Sequence, residues 1–233
     1  MFTVLALRKI CKFLFKAMLV FIVLSVLWVL CYRYINPPIT SLQLSRESST
    51  GLTMKHHWIH YSAMGDNIKM AVLCGEDQQF KMHNGFDFKA IGKAFARNAK
   101  GNAIRGASTI SQQTAKNVFL WEGRSWLRKG MEVWFTLLIE VIWGKERILE
   151  VYLNVIEMGP ITSKRQTPPV FGCEAASQFY FHKPCKNLSM VQAAKIASIL
   201  PCPKSCGFGS RFAYSRQKII IRSIRRWGHQ LLP

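Results

Sequence analysis

A mainly α-helical domain behind one membrane-spanning helix is the fold class this sequence predicts. Three observations predict it. An apolar run near the N-terminus reaches about 20 residues, the length that crosses a bilayer. Several later segments repeat apolar residues at helical spacing. No segment sustains strand alternation and no internal repeat is visible, so any β structure is minor. The 233 residues suffice for one ordinary domain plus an accessory segment, and 49% apolar content argues against disorder.

The first element is "RKICKFLFKAMLVFIVLSVLWVLCYRY". Arg8, Lys9, Lys12 and Lys16 come first, and residues 17–32 then carry no charge. Counted from Phe13, with Lys16 snorkelling to the headgroups, the run spans the hydrocarbon. A cleaved signal peptide needs small residues at its end, and Trp28, Val29, Leu30 and Tyr32 are bulky. Leu30 also stands where a lipoprotein signal ending at Cys31 wants a small residue. An uncleaved anchor is therefore expected over residues 1–35. Four basic residues precede the span and only Arg33 closely follows it, which directs the N-terminus to the cytoplasm and residues 33–233 outside.

Residues 36–58 are rich in Pro, Ser and Thr and read as a linker, leaving 59–233 as the functional domain. Within it, "MAVLCGEDQQF" suits a helix, and Asp87 is placed to cap "FKAIGKAFARNAKG", which Gly101 ends. A loop from Gly106 to Ser111 is expected to feed a helix from Gln112. "RSWLRKGMEVWFTLLIEVIWG" reads as a long helix. "KERILEVYLNVIEMG" sets Ile148, Leu149, Tyr152 and Leu153 on one apolar face. "SMVQAAKIASILP" and "RFAYSRQKIIIRSIRRWGHQ" are two further amphipathic helices. In the last, Ile219, Ile220, Ile221 and Ile224 fit a membrane-facing stripe and a core stripe equally well.

The formal charge of +20 calls for an anionic partner: nucleic acid, anionic lipid or a phosphorylated substrate. The outward orientation makes intracellular nucleic acid a poor candidate. Seven cysteines are an odd set. Cys11 is cytoplasmic and Cys31 lies in or near the membrane. Cys74, Cys173, Cys185, Cys202 and Cys206 stand in a compartment that permits disulfides. "CPKSC" fits a small disulfide loop and a pair of free thiols equally, and is a weak metal signal.

Two acidic candidates stand out. Glu76 and Asp77 are adjacent, so a helix cannot aim both the same way; one enters a site while the other stays solvated or caps. Taken alone, this is an ordinary helix end. Glu132 follows Arg128 by four residues, on the same helix face. Its plain reading is a surface ion pair worth about 0.3–0.5 kcal/mol. Two carboxylates among Lys116, Arg128, Lys129 and Lys145 suit displacement of a phosphorylated leaving group by a hydroxyl. A base takes the hydroxyl proton, and cations neutralise the departing phosphate. The polar run "GASTISQQTAKN" supplies donors and acceptors for sugar hydroxyls and phosphate oxygens. No P-loop, GxGxxG, HExxH or GxSxG occurs.

"EDQQFKMHNGFD", "GASTISQQTAKN", "RKGME" and "KERILEVYLN" stand in this order. Together they closely resemble the signature blocks of the peptidoglycan glycosyltransferases, glycosyltransferase family 51. "FGCEAASQFYFHK" and "LSMVQAAKIASILPCP" resemble the C-terminal blocks of that family. The resemblance covers roughly residues 60–205. With one anchor and no room for a transpeptidase domain, it points to the monofunctional members. It implies a lysozyme-like fold with a membrane-associated smaller lobe, anchored in the inner membrane with the domain in the periplasm. Lipid II and the growing glycan strand are the implied substrates. Cell-wall synthesis or division proteins are the implied partner class, and nucleic acid is not one. Glu76 matches the general base acting on the acceptor 4-hydroxyl. Glu132 matches the second glutamate, which assists the leaving pyrophosphate directly or through a divalent metal such as Mg or Mn; no cofactor is implied outright. Arg128 and Lys129 match the pyrophosphate pair. Ser108, Thr109, Gln112, Gln113, Lys116 and Asn117 match the substrate-groove block. Asp77, His83, Lys145, Tyr152 and Asn154 complete the substrate-contact set expected from the blocks.

One departure from the family pattern is "ITSKRQTPPV", residues 161–170, which reads as an exposed insertion before the "FGCEAA" block. Two other functions compete. A lytic enzyme of similar shape would use Glu76 but leaves Lys116, Arg128 and Lys129 without a task. A non-enzymatic basic protein binding anionic lipid or extracellular DNA explains the charge but not two carboxylates set among cations.

Overall fold

The computed structural model describes residues 2–98, 108–159, 167–203 and 205–233. It divides into two units, residues 1–36 and 37–233. The first is a single helix, α1 (Phe2–Tyr34), whose stretch Leu7–Tyr34 is long and apolar enough to cross a membrane. Phe13, Leu14, Leu24 and Leu27 stand exposed along it.

The second unit is built almost wholly of helices. The segment read as a linker is corrected here, because it holds α2 (Ser41–Thr50). Thr40 opens α2 with a capping box: its side chain accepts from Gln43 N, and Gln43 Oε1 accepts from Thr40 N at 2.7 Å. Arg46 then ties α2 down by bonding Glu122 at 2.9 Å and Glu157 at 3.2 Å. A polar composition suggested a linker, but those polar side chains are engaged within the domain.

α3 (Asp66–Glu76), α9 (Met190–Ser198) and α10 (Arg211–Leu231) pack against one another. Ile220 and Ile224 of α10 enter this core, whereas Ile219 is exposed. The isoleucine stripe therefore divides between core and surface. Gly75 permits the close approach: a Cβ there would meet Ile220 Cδ1 at 3.2 Å.

A second layer comprises α5 (Ile110–Phe119), α6 (Trp126–Ile142) and α7 (Lys145–Val155). Phe119 stacks on Phe135 with ring centroids 4.6 Å apart. Ile148, Leu149, Tyr152 and Leu153 are fully buried, as their spacing predicts. α4 (Phe88–Asn98) is capped by Asp87, which accepts from Ala90 N at 2.8 Å. The stop at Gly101 lies outside the described residues, as do Gly106 and most of the 161–170 insertion. β1 (Lys55–His56) and β2 (Val170–Phe171) form a two-stranded parallel ladder, the minor β component. α8 (Cys173–Phe181) follows β2 directly. Cys202 and Cys206 are disulfide-bonded.

Candidate active site

A cleft of about 710 Å³ opens within the second unit. Glu76 lines it, with Ser108, Gln113, Lys116, Asn117 and Arg128. α2 and the disulfide-closed loop after α9 complete its walls through Ser41, Arg46, Pro201 and Cys202.

Glu76 is the last residue of α3, and Asp77 is its C-cap. This separates the adjacent carboxylates as their helical spacing requires. The Glu76 carboxylate is held from two directions. Gln113 Nε2 donates to Oε2 at 3.1 Å, and Arg216 of α10 donates to Oε1 at 2.5 Å. The same Arg216 nitrogen donates to the Gly75 carbonyl at 2.6 Å, which fixes the guanidinium against the end of α3. Behind Gln113, the Tyr152 hydroxyl donates to its Oε1 at 3.2 Å. Burial, and then the nearby Glu76 charge, push the Tyr152 pKa well up, so this hydroxyl stays a donor.

Asp77 turns inward and is buried. Its Oδ2 accepts from Ile110 N at 3.0 Å and from His83 Nε2 at 2.9 Å. His83 Nδ1 accepts from Gly85 N at 3.1 Å, so Nε2 carries the proton. Asp77 thus clasps the end of α3 to the start of α5. Thr109 is the N-cap of α5, one residue outside the helix expected from Gln112, which in fact begins at Ile110. Thr109 and Gln112 form a capping box, and Thr109 Oγ1 donates to the Gly85 carbonyl at 2.6 Å.

The cationic end lies on α5 and α6. Arg128 bonds Glu132 Oε2 at 3.0 Å, and Lys129 bonds the other oxygen. Glu132 is only 3% exposed. Although Arg128 and Lys129 leave α6 about 100° apart, both side chains converge on this one carboxylate. Lys116 is exposed, and the protein around it partly desolvates its ammonium. That desolvation lowers its pKa; Glu132 opposes the shift, and Arg128 and Lys129 add to it. Asn117 Nδ2 is buried without a hydrogen-bond partner among the described residues. An unmatched buried donor beside a cleft is unfavourable until something accepts from it.

Apart from Lys129, which pairs with Glu132, the expected substrate contacts separate into two groups. Ser108, Gln113, Lys116, Asn117 and Arg128 border the cleft with Glu76. Asp77, His83, Thr109, Gln112, Lys145, Tyr152 and Asn154 are committed to internal bonds behind it. Lys145 Nζ bonds the His83 carbonyl at 2.5 Å and Glu140 at 2.8 Å. Asn154 is fully buried and clamps Ile59 through its backbone N–H and carbonyl, at 3.0 and 2.9 Å. None of the seven lines the cleft formed by the described residues.

A divalent ion at Glu132 would need further anionic oxygens. Both Glu132 oxygens instead face cations. Among the described residues, no three His, Cys, Asp or Glu side chains gather as a metal site. Any such ion would take its remaining oxygen ligands from outside these residues.

Two features escaped the sequence reading. Arg216 looked like one of many basic residues on an amphipathic helix. Arg46 lay in a polar stretch without apolar periodicity. Neither carries a local signal for a partner so distant in the chain.

The family model described as Transglycosylase matches residues 45–225. A protein of Pseudomonas aeruginosa named biosynthetic peptidoglycan transglycosylase is 45% identical over 217 residues, covering 91% of this chain and 90% of that protein. One of the same name from Chromohalobacter salexigens is 45% identical over 229 residues, covering 95% and 94%. A third, from Xanthomonas oryzae pv. oryzae, is 42% identical over 230 residues, covering 96% and 90%. The match starts inside α2 and runs into α10, taking in every cleft-lining residue except Ser41 and Leu42. This chain belongs to the transglycosylase family.

Proposed function

We propose that this chain is a peptidoglycan glycosyltransferase that polymerises lipid II into β-1,4-linked glycan strands and releases undecaprenyl pyrophosphate. The observation that carries the reading is one cleft bordered by an ion-paired carboxylate, Glu76, and by Lys116 and Arg128. Glu76 takes the proton of the acceptor 4-hydroxyl. The freed oxygen attacks the anomeric carbon of the donor sugar, inverting it, while that carbon's bond to the phosphate oxygen breaks. Lys116, Arg128 and Lys129 neutralise the departing pyrophosphate. Glu132 holds Arg128 and Lys129 until the more highly charged leaving group displaces it. Ser108 and Asn117 contact the sugar–pyrophosphate, and Gln113 aims Glu76.

Family membership and the apolar α1 support a membrane-anchored enzyme. The basic flank of α1 favours a cytoplasmic N-terminus and a periplasmic domain. Lipid II and the growing strand are the partners, and cell-wall synthesis proteins are the class it would meet there.

The test is to incubate the purified full chain with lipid II and, separately, with glycan strands. Polymer from lipid II and no cleavage of strands is expected. Cleavage without polymer would replace this reading by the lytic one.

A further inference from the structure

Cys173 and Cys185 lie away from the cleft and take no part in the proposed reaction. Cys173 opens α8, and Cys185 opens the short 3₁₀ turn Cys185–Asn187. Both are completely buried, and their sulfurs are 3.7 Å apart. We propose that these two thiols form a second disulfide when the chain folds in the presence of a disulfide oxidant. Its occurrence in the cell rests on the proposed placement of the domain outside the cytoplasm; the pairing itself does not.

The surrounding structure already closes this loop. Glu174 Oε2 accepts from Cys185 N at 2.7 Å. Ser177 Oγ donates to the Lys183 carbonyl at 2.6 Å. His182, at φ 53°, turns the chain back after α8. Drawing the sulfurs in by about 1.7 Å reaches bonding distance, a shift that side-chain rotation supplies. Among the described residues, no other pair of free thiols is in contact; Cys74 is buried alone on α3.

Reactivity places the step during folding. In the folded chain, the hydrogen bond to Cys185 and then burial push the Cys173 pKa well up, so neither the thiolate nor access is available there. In the unfolded chain, one thiolate attacks a sulfur of the oxidant's disulfide, forming a mixed disulfide and expelling the oxidant's first thiolate. The second cysteine thiolate then attacks the chain-bound sulfur. That closes the Cys173–Cys185 bond and expels the second oxidant thiolate. Two electrons pass to the oxidant, and the two thiol protons go to solvent.

The bond would brace the turn that seats α3. A Cβ at Gly65, the N-cap of α3, would lie 2.7 Å from the Lys186 carbonyl oxygen. Glu76 sits at the other end of that helix.

The experiment isolates the full chain in detergent, denatures it and alkylates it with iodoacetamide before any reductant is added. It is then reduced, labelled with a second reagent and mapped by peptide mass spectrometry. A second sample is denatured, fully reduced and refolded in a mixture of reduced and oxidised glutathione before the same labelling. Protection of Cys173 and Cys185 in both samples, with an intact linked peptide, is the expected result. Protection only after glutathione refolding would support the pairing and count against the outward orientation. First-label capture of both residues in the refolded sample, or a link from either to Cys74, would overturn the proposal. The Cys202→Ser, Cys206→Ser double variant should retain the Cys173–Cys185 link, which separates it from exchange with the loop disulfide.

Discussion

Glu76 and Glu132 are both ion-paired carboxylates at one site, but they are built in opposite ways. Glu132 takes its cations from its own helix, three and four residues back. Glu76 takes Arg216 from a helix 140 residues further along the chain. On the proposed mechanism the local arrangement is a reservoir: two cations held together on one counterion and available to a stronger anion. The distant arrangement is a mount. Arg216 also bonds the Gly75 carbonyl, so the carboxylate is fixed relative to α3 and α10 together. A base must be aimed at one hydroxyl, whereas a cation pair needs only to be close to the charge that develops.

The largest expected effect separates the two glutamates. Glu76→Gln keeps the size and the Gln113 contact but removes the base, so polymerisation should fall by about 10²–10⁴. Kinetics on lipid II, with circular dichroism to confirm folding, provide the check. Retention of more than about a tenth of the wild-type rate would remove Glu76 as the base. Glu132→Gln should act differently. It frees Arg128 and Lys129, so KM should hold or fall while kcat drops; a pure rise in KM would break the contrast.

The next effect tests the reservoir. Arg128→Ala should cost about 2–4 kcal/mol in the transition state, as loss of one cation from a desolvated site does. Arg128→Lys should recover only part, because an ammonium cannot make the two-point contact of a guanidinium. Lipid II turnover should fall at least about tenfold, while the thermal midpoint barely moves. If Arg128 merely pairs with Glu132, turnover and midpoint will both stay near wild type.

The same contrast governs what the sequence could reveal. Arg128 and Glu132 share a helix face by spacing alone, so their pairing was readable. That Lys129 would reach the same carboxylate was not, since residues one apart leave a helix about 100° from each other and only a long flexible chain bridges that gap. Helices with clear apolar periodicity, such as α7 and α9, were legible. α2 was not, because its buried face is polar: Gln43 and Arg46 are held by a capping box and ion pairs rather than by apolar packing. Among the expected substrate contacts, motif position could not tell a side chain facing the cleft from one supporting it. Gln113 and Gln112 are neighbours; one donates to the Glu76 carboxylate and the other caps the helix. Only the rotation of α5 distinguishes them.

A smaller effect belongs to the mount. Arg216→Ala leaves the carboxylate with Gln113 alone. Misaiming a base costs roughly tenfold to a hundredfold. The loss should appear in kcat with KM unchanged, because Arg216 touches Glu76 and not the expected path of the pyrophosphate. Added guanidinium ion should restore part of the rate. A variant that loses thermal stability with kcat unchanged would make Arg216 only a clamp between α10 and α3.

The smallest effect is in pH dependence, and it sharpens the contrast at Lys116. Desolvation, reinforced by Arg128 and Lys129 and opposed by Glu132, places its folded pKa below the ordinary 10.5. For a lysine, a lowered folded value means that the charged form disfavours folding. That cost is fully present below the folded pKa and vanishes as pH rises toward the unfolded value. Activity should move the other way, because a neutral amine cannot stabilise the leaving pyrophosphate. Turnover should therefore begin to fall on the alkaline side while the contribution of Lys116 to stability improves. The tyrosines shifted by desolvation do not confuse this window: partial burial raises Tyr61 to about 12, and Tyr152 and Tyr180 are also pushed up, so all three stay neutral there. Lys116→Arg keeps its charge at every accessible pH and should abolish the early alkaline decline. The measurement is turnover and thermal midpoint on wild type and this variant between neutral pH and pH 10.5. A decline identical in the two proteins would remove Lys116 from the titration and leave Arg128 and Lys129 as the cations that meet the pyrophosphate.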